Sequence, residues 1–220
     1  MKFRAQAVKS TALPLLLAAA LLLTGCSTAG WVARRQVIPA PAGLTIEQNW
    51  IPAGRYGRQL TLRLQPRAIT VHSTQDRGAT ARNLASLLNR GGLPAKTRWN
   101  RHRWNIWHYS VDDVRAVQHL PLDEQGEHAD HEGQGNTTSI GIEICEFSDP
   151  KRQRAAVENA ARLTAALASA FQISRANIVP HYHWPMRPNG WHKNCPRILL
   201  ENGRPGRKWE QFLDRVQRLR

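Results

Sequence analysis

The chain has 220 residues, with 31 Lys and Arg against 16 Asp and Glu, for a formal net charge of +15. That length suits one core domain with tails rather than two full domains. The charge favours an anionic partner: nucleic acid, anionic lipid, or a polymer such as cell wall. Three cysteines cannot make a disulfide-dense scaffold, so the fold must rest on a hydrophobic core.

Residues 1–26 read as an export signal. Lys2, Arg4 and Lys9 give a positive start, and residues 15–23, after Pro14, form an apolar run too short to span a bilayer. The segment closes on Leu23-Thr24-Gly25-Cys26, which resembles the bacterial lipobox. The resemblance implies removal of residues 1–25 and a diacylated Cys26 that anchors the chain without a transmembrane helix. Ser27 after it implies sorting to the outer membrane, with the protein on the periplasmic face. The plainer alternative is an ordinary secretory signal cut nearby. Export disfavours nucleic acid as the partner. Without the three signal cations the chain keeps 28 basic against 16 acidic residues, so it stays at +12.

Residues 26–49 read as a tether and an irregular arm, carrying Pro39, Pro41 and Gly43, and the domain is expected over 50–220. Strands are predicted over 60–64 and 69–73 around a Gln65-Pro66-Arg67 turn. A helix follows over 79–90, with Leu84, Leu87 and Leu88 on one face and Gly91-Gly92 as its stop. Residues 104–111 and 114–120 predict a hairpin across Asp112-Asp113, and 123–137 a loop over the sheet. The most strand-like run is 138–147. Asp149-Pro150 then opens a helix to about residue 171, in which Thr164 can bond back to the preceding turn. A short strand at 178–179 feeds into His181, and an amphipathic helix over 208–220 closes the chain. Strands and helices interleave, which predicts an α/β fold: a single domain with a mixed central β-sheet flanked by helices.

Residues 181–196 hold the chemistry. Three histidines (His181, His183 and His192), Lys193 and Cys195 fall within sixteen residues broken by Pro and Gly. Imidazole and thiolate are preferred Zn²⁺ ligands, and a catalytic zinc takes three protein ligands with one open position. The local stretch supplies two or three, so a further ligand is expected upstream. His72, at the end of a β-rich run, is the best candidate there. A Cys145–Cys195 disulfide would compete with metal binding. Alternation over 139–145 puts Gly141, Glu143 and Cys145 on one face and three isoleucines on the other. The isoleucine face must enter the core, so Glu143 points away from it, where a carboxylate can act as a general base. Cys145 reads as a small buried filler, and Glu146 as solvated.

Five runs together resemble the zinc-dependent N-acetylmuramoyl-L-alanine amidases, within the superfamily that includes the peptidoglycan recognition proteins. They are residues 69–74 (ITVHST), 107–112 (WHYSVD), 128–129 (HA), 136–146 (NTTSIGIEICE) and 181–196. The resemblance implies a mixed sheet with the metal site on one face. It implies cleavage of the amide between muramic acid and L-alanine of the peptidoglycan stem peptide. It names His72, His181 and Cys195 as Zn²⁺ ligands, Glu143 and Lys193 as catalytic, and His128 and His108 as groove residues, with a core histidine as the alternative for His108. In the family the run from the second histidine to the cysteine is usually shorter, which keeps His183 and His192 as rivals to His181. Trp107 stands where some relatives have a catalytic tyrosine, and with its neighbours it can stack on sugar or peptide, or pack into the core. Trp99, Trp104, Arg98, Arg101 and Arg103 share those two readings. The partner is expected to be peptidoglycan or muropeptides, and the oligomeric state a monomer. The competing class is a non-catalytic peptidoglycan-binding lipoprotein. Because such relatives typically lack the metal cysteine, Cys195 favours hydrolysis.

Overall fold

The computed structural model describes residues 37–94, 103–186 and 189–220. The expected signal segment, Cys26, and Arg98, Trp99 and Arg101 lie outside them. In chain order the elements are β1 (Thr45–Gln48), β2 (Ala68–Arg77), α1 (Ala81–Asn89), β3 (Tyr109–Val111), β4 (Arg115–Gln118), α2 (Gln134–Thr138) and β5 (Ser139–Glu146). Next come α3 (Pro150–Ala170), β6 (Ile178–Pro180), β7 (Pro185–Met186), β8 (Trp191–His192), β9 (Leu200–Glu201), β10 (Arg204–Pro205) and α4 (Arg207–Arg218). No described helix is long and apolar enough to cross a membrane.

Among the described residues the main sheet runs β1-β4-β3-β5-β2-β6. β3, β5, β2 and β6 are parallel, β4 is antiparallel to β3, and β1 runs parallel to β4. The fold is therefore the mixed α/β sheet that the sequence predicts. The first half of β2 is buried, and so is β5 except at Glu143, as parallel strands covered on both faces require. α3 packs on β3, β4 and β5, and α4 packs on α3. Small residues of α3 (Ala156, Ala160, Ala161 and Ala168) are inaccessible and bring its backbone close to its neighbours.

Local signals set the helix ends. Thr80 caps α1 in a capping box with Asn83. At the far end Gly91, at φ 68°, donates to the Leu88 carbonyl and Gly92 to that of Leu87. These two bonds form a Schellman stop. Asp149 accepts N–H bonds from Lys151 and Arg152 at the start of α3. The Asp112 carboxylate turns the β3–β4 hairpin by accepting from Val114 and Arg115, and its other oxygen takes the Ala81 N–H.

The structure corrects several expectations. Residues 60–64 form no strand. Leu64 N–H and Leu62 C=O pair instead with residues 123–125, a loop that only tertiary folding brings alongside. The first hairpin strand shortens to Tyr109–Val111, and residues 104 and 106 make isolated bridges to Pro94 and Glu127. The 123–137 loop contains the start of α2, whose first backbone N–H groups are taken up by Asp130. The Thr164 hydroxyl is buried and bonds to no preceding carbonyl. Glu146 is not solvated: it is 2% exposed and clamped by Arg197, with Nε donating to Oε2 at 2.8 Å. Cys145 and Cys195 are both buried free thiols.

Candidate metal centre and cleft

Strand register assembles the site. In the parallel ladder His72 of β2 lies opposite Glu143 of β5, and Val71 lies opposite Pro180 of β6. The next residue on β6's exit is His181, which opens a short 3₁₀ turn. Glu143, His72 and His181 therefore stand in a row across three adjacent parallel strands, level with the C-terminal end of β6 and towards the end at which open α/β sheets place their ligands. Cys195 arrives from the loop beyond. The Ser73 N–H points at its Sγ at 3.4 Å, and its carbonyl accepts from Tyr182.

His72, His181 and Cys195 are buried, and their ligand atoms lie within 4.8 Å of one another. The hydrogen bonds around them fix the free lone pairs. His181 Nε2 lies 2.9 Å from the Ala129 carbonyl, which can only accept, so Nε2 carries the proton. His181 Nδ1 is then a bare acceptor, and it is buried with no protein partner. The tautomer of His72 is set by His128. His128 Nε2 faces the Ser139 carbonyl at 3.4 Å, and His128 Nδ1 accepts from His72 Nε2 at 3.1 Å. His72 Nδ1 is left as an acceptor, 3.8 Å from Cys195 Sγ. Two imidazole lone pairs and a thiol thus converge, and one of them has no use within the protein. Such a donor set fits Zn²⁺.

Electrostatics hold the imidazoles in their ligating form. Burial pushes His72 well below its ordinary value, helped by His181, His128 and Lys193. Burial, with Lys193, lowers His181 to about 3. The same burial pushes the Cys195 thiol up to about 12, Glu143 adding to it and the Ser73 N–H opposing. A thiol so placed ionises only beside a cation. Glu143 Oε1 is 3.9 Å from His72 Nδ1, and its Oε2 is buried without a partner. Desolvation raises its carboxyl to about 8, with Lys193 lowering it and Glu146 raising it.

A cleft of about 270 Å³ opens beside the centre and reaches it at His181 and Glu143. Asp76, Glu127, His128, Glu143 and Lys193 supply its polar lining, and Leu84, Leu87, Trp107 and Met186 its apolar side. Trp107 is 5% exposed, with its indole N–H on Ser110, so it is a packed wall of the cleft. His183 is exposed with its ring against Trp184, and His192 is exposed and stacked on Tyr182. Neither joins the centre.

His108 is the core histidine of its two readings, not a groove residue. It is 0% exposed, Nε2 donates to the Glu124 carbonyl, and Nδ1 accepts from Gly141 N–H. Both nitrogens are spent on tying β5 to the 123–127 loop, so it touches no groove. His128 reaches the cleft but also orients His72, a role its sequence position did not suggest. A signal existed: a Cβ on Gly141 would fall 2.8 Å from the His128 ring, and one on Gly126 likewise. Glycine at 141, on Glu143's face, marks the seat of a ring. Glu127 was missed altogether. Its Oε1 holds the Asn136 amide at 2.7 Å and His131 at 3.2 Å, a pairing between residues that only the fold brings together.

The family model described as N-acetylmuramoyl-L-alanine amidase matches residues 62–198, which include every residue of this centre. The chain belongs to this family. It is 38% identical over 170 residues to the N-acetylmuramoyl-L-alanine amidase XlyA of Bacillus subtilis, covering 77% of this chain and 50% of XlyA. It is 36% identical over 177 residues to CwlH of the same organism, covering 79% of this chain and 61% of CwlH. The chain thus spans about half to three-fifths of these amidases' length. Among solved structures, the catalytic domain of XlyA superposes with a TM-score of 0.64 at 38% identity, over 79% of this chain and 99% of that domain. The PlyG catalytic domain gives 0.63 at 27% identity, over 80% and 94%. These catalytic domains share the fold described above.

Proposed function

We propose that this chain is a zinc-dependent hydrolase of peptidoglycan that cleaves the amide between N-acetylmuramic acid and L-alanine of the stem peptide. The observation that carries the reading is the convergence of His72 Nδ1, His181 Nδ1 and Cys195 Sγ beside Glu143, in a chain of the amidase family. His72, His181 and Cys195 would hold the ion. Bound there, zinc acidifies water and polarises a carbonyl. Glu143, on the cleft wall, takes a proton from the attacking water and returns it to the departing L-alanine amine. The Lys193 ammonium holds the charge that develops on the carbonyl oxygen. His128 keeps His72 in the tautomer and orientation the site needs.

The test is mass spectrometry of muropeptides incubated with the protein, with and without a chelator. Separate glycan and free stem peptide, lost on chelation and restored by Zn²⁺, are the expected result. Muropeptides that stay intact yet co-purify with the protein would replace this reading with a recognition role. The proposal extends to export: a Cys26-lipidated protein on the periplasmic face of the outer membrane, residues 26–49 as tether and 50–220 as the domain. The mass of the N-terminal peptide from a purified membrane fraction tests the anchor.

A further inference from the structure

A cleft of about 270 Å³ is too small to enclose a glycan polymer bearing peptides, so much of such a substrate must lie over the rim. The β7–β8 hairpin stands on that rim, between His181 and Lys193 in sequence. Met186 of β7 lies opposite Trp191 of β8. Directly opposed residues of an antiparallel pair project on the same face, and Met186 is part of the cleft wall. Trp191 therefore continues that wall outward. Lys193, two residues on and also in the cleft lining, lies on the same side by alternation. The other pair, Pro185 and His192, faces away, and His192 borders a separate groove together with Tyr182 and His183.

The hairpin is anchored. Gly190 N–H donates to the Met186 carbonyl at 2.8 Å, and the His192 ring stacks on Tyr182 with centroids 4.9 Å apart. Trp191 is 52% exposed, while every other described tryptophan is buried or half-buried. A lone exposed apolar residue needs no explanation. An indole that the hairpin register sets opposite Met186 of the cleft wall, two residues before Lys193, is a different case.

We propose that Trp191 is a glycan subsite, stacking its indole on a pyranose ring of the substrate's sugar chain. The inference rests on the amidase reading above. Chemistry selects the occupant. The cleft offers Asp76, Glu127, Glu143 and Lys193, which suit the amides and charges of a peptide. Trp191 offers a flat, uncharged face, which suits the C–H face of a sugar.

Two measurements on the full chain test it. The first titrates an N-acetylglucosamine oligosaccharide, which carries no peptide, against tryptophan fluorescence and by calorimetry. The wild-type emission should respond, and Trp191→Ala should remove that response and weaken affinity about threefold to tenfold. Trp191→Tyr should recover most of the affinity. The second compares KM on polymeric peptidoglycan and on a single-sugar muramoyl peptide. The ratio of polymer KM to single-sugar KM should rise in Trp191→Ala, with kcat falling by less. An oligosaccharide affinity equal in wild type and Trp191→Ala overturns the proposal. So does an affinity for free stem peptide that falls as much as that for the sugar. Should the wild type release no peptide from any substrate, the amidase reading fails, and the oligosaccharide titration still decides the role of Trp191.

Discussion

Gly141→Ala is the sharpest probe of how the sheet builds the site. An added Cβ would lie 2.8 Å from Cγ and Cδ2 of the His128 ring and 2.9 Å from Cε1. Ordinary carbon contact is about 3.5 Å, so the ring must retreat by roughly 0.7 Å. The backbone cannot absorb the shift: Gly141 N–H is bonded to His108, and the N–H groups of His128 and Ala129 are both held by Asn136. Because the Cβ would stand over the ring face, the retreat runs along the ring normal, and it bends the in-plane 3.1 Å His128–His72 bond out of line more than it lengthens it. Overpacking of this kind costs about 1–3 kcal/mol. Full loss of a ligand's orienting partner costs about 10- to 100-fold in metal affinity, which is the upper bound for a bent one. Urea unfolding reads the first, and zinc competition against a chromophoric chelator reads the second. The Gly141→Ala/His128→Ala double variant separates the causes, because removing the ring makes room for the methyl. Its stability should then exceed the sum of the single effects. A Gly141→Ala protein within about 0.5 kcal/mol of wild type, with zinc affinity changed less than about twofold, would refute the reasoning.

His181→Ala should lose bound zinc by elemental analysis, and His183→Ala, altering an exposed ring off the centre, should keep it; the reverse result would exchange the two ligands. Arg58 is 8% exposed and holds the inaccessible Glu124 through Nε and Nη2 at 2.7 and 2.6 Å. Arg58→Met strands that buried carboxylate and should cost about 3–5 kcal/mol in urea unfolding. The Arg82 and Arg115 guanidiniums beside Glu47 hold its carboxyl down to about 2, against an ordinary 4.5. The folded pKa lies below the unfolded one, so the stabilisation is full above 4.5 and fades as pH falls towards 2. Between about pH 6 and pH 3 the melting temperature of wild type should therefore drop more than that of Glu47→Gln; equal drops would show the ion pairs to be screened.

Much of the fold was legible because its causes are local. Thr80 with Asn83, Gly91-Gly92 and Asp149-Pro150 fix helix ends through bonds spanning a few residues, and the isoleucine alternation of β5 fixes which way Glu143 points. Residue chemistry and the family resemblance together drew His72, His181, Cys195, Glu143 and Lys193 into one hypothesis. The sequence could not decide what each ring nitrogen meets. His181 was separated from His183 by a carbonyl 52 residues away, at Ala129. His108 was buried by bonds to Glu124 and to Gly141, the latter 33 residues on. Glu146, which reads as a solvated acid, was drawn in by Arg197, 51 residues later. Residues 60–64 had strand composition but met a loop instead of a strand. Residue type and spacing determine which groups are available and which face of a strand or turn of a helix they occupy. Which neighbour satisfies each buried donor or acceptor is set by contacts between distant segments, and only the tertiary structure decides those.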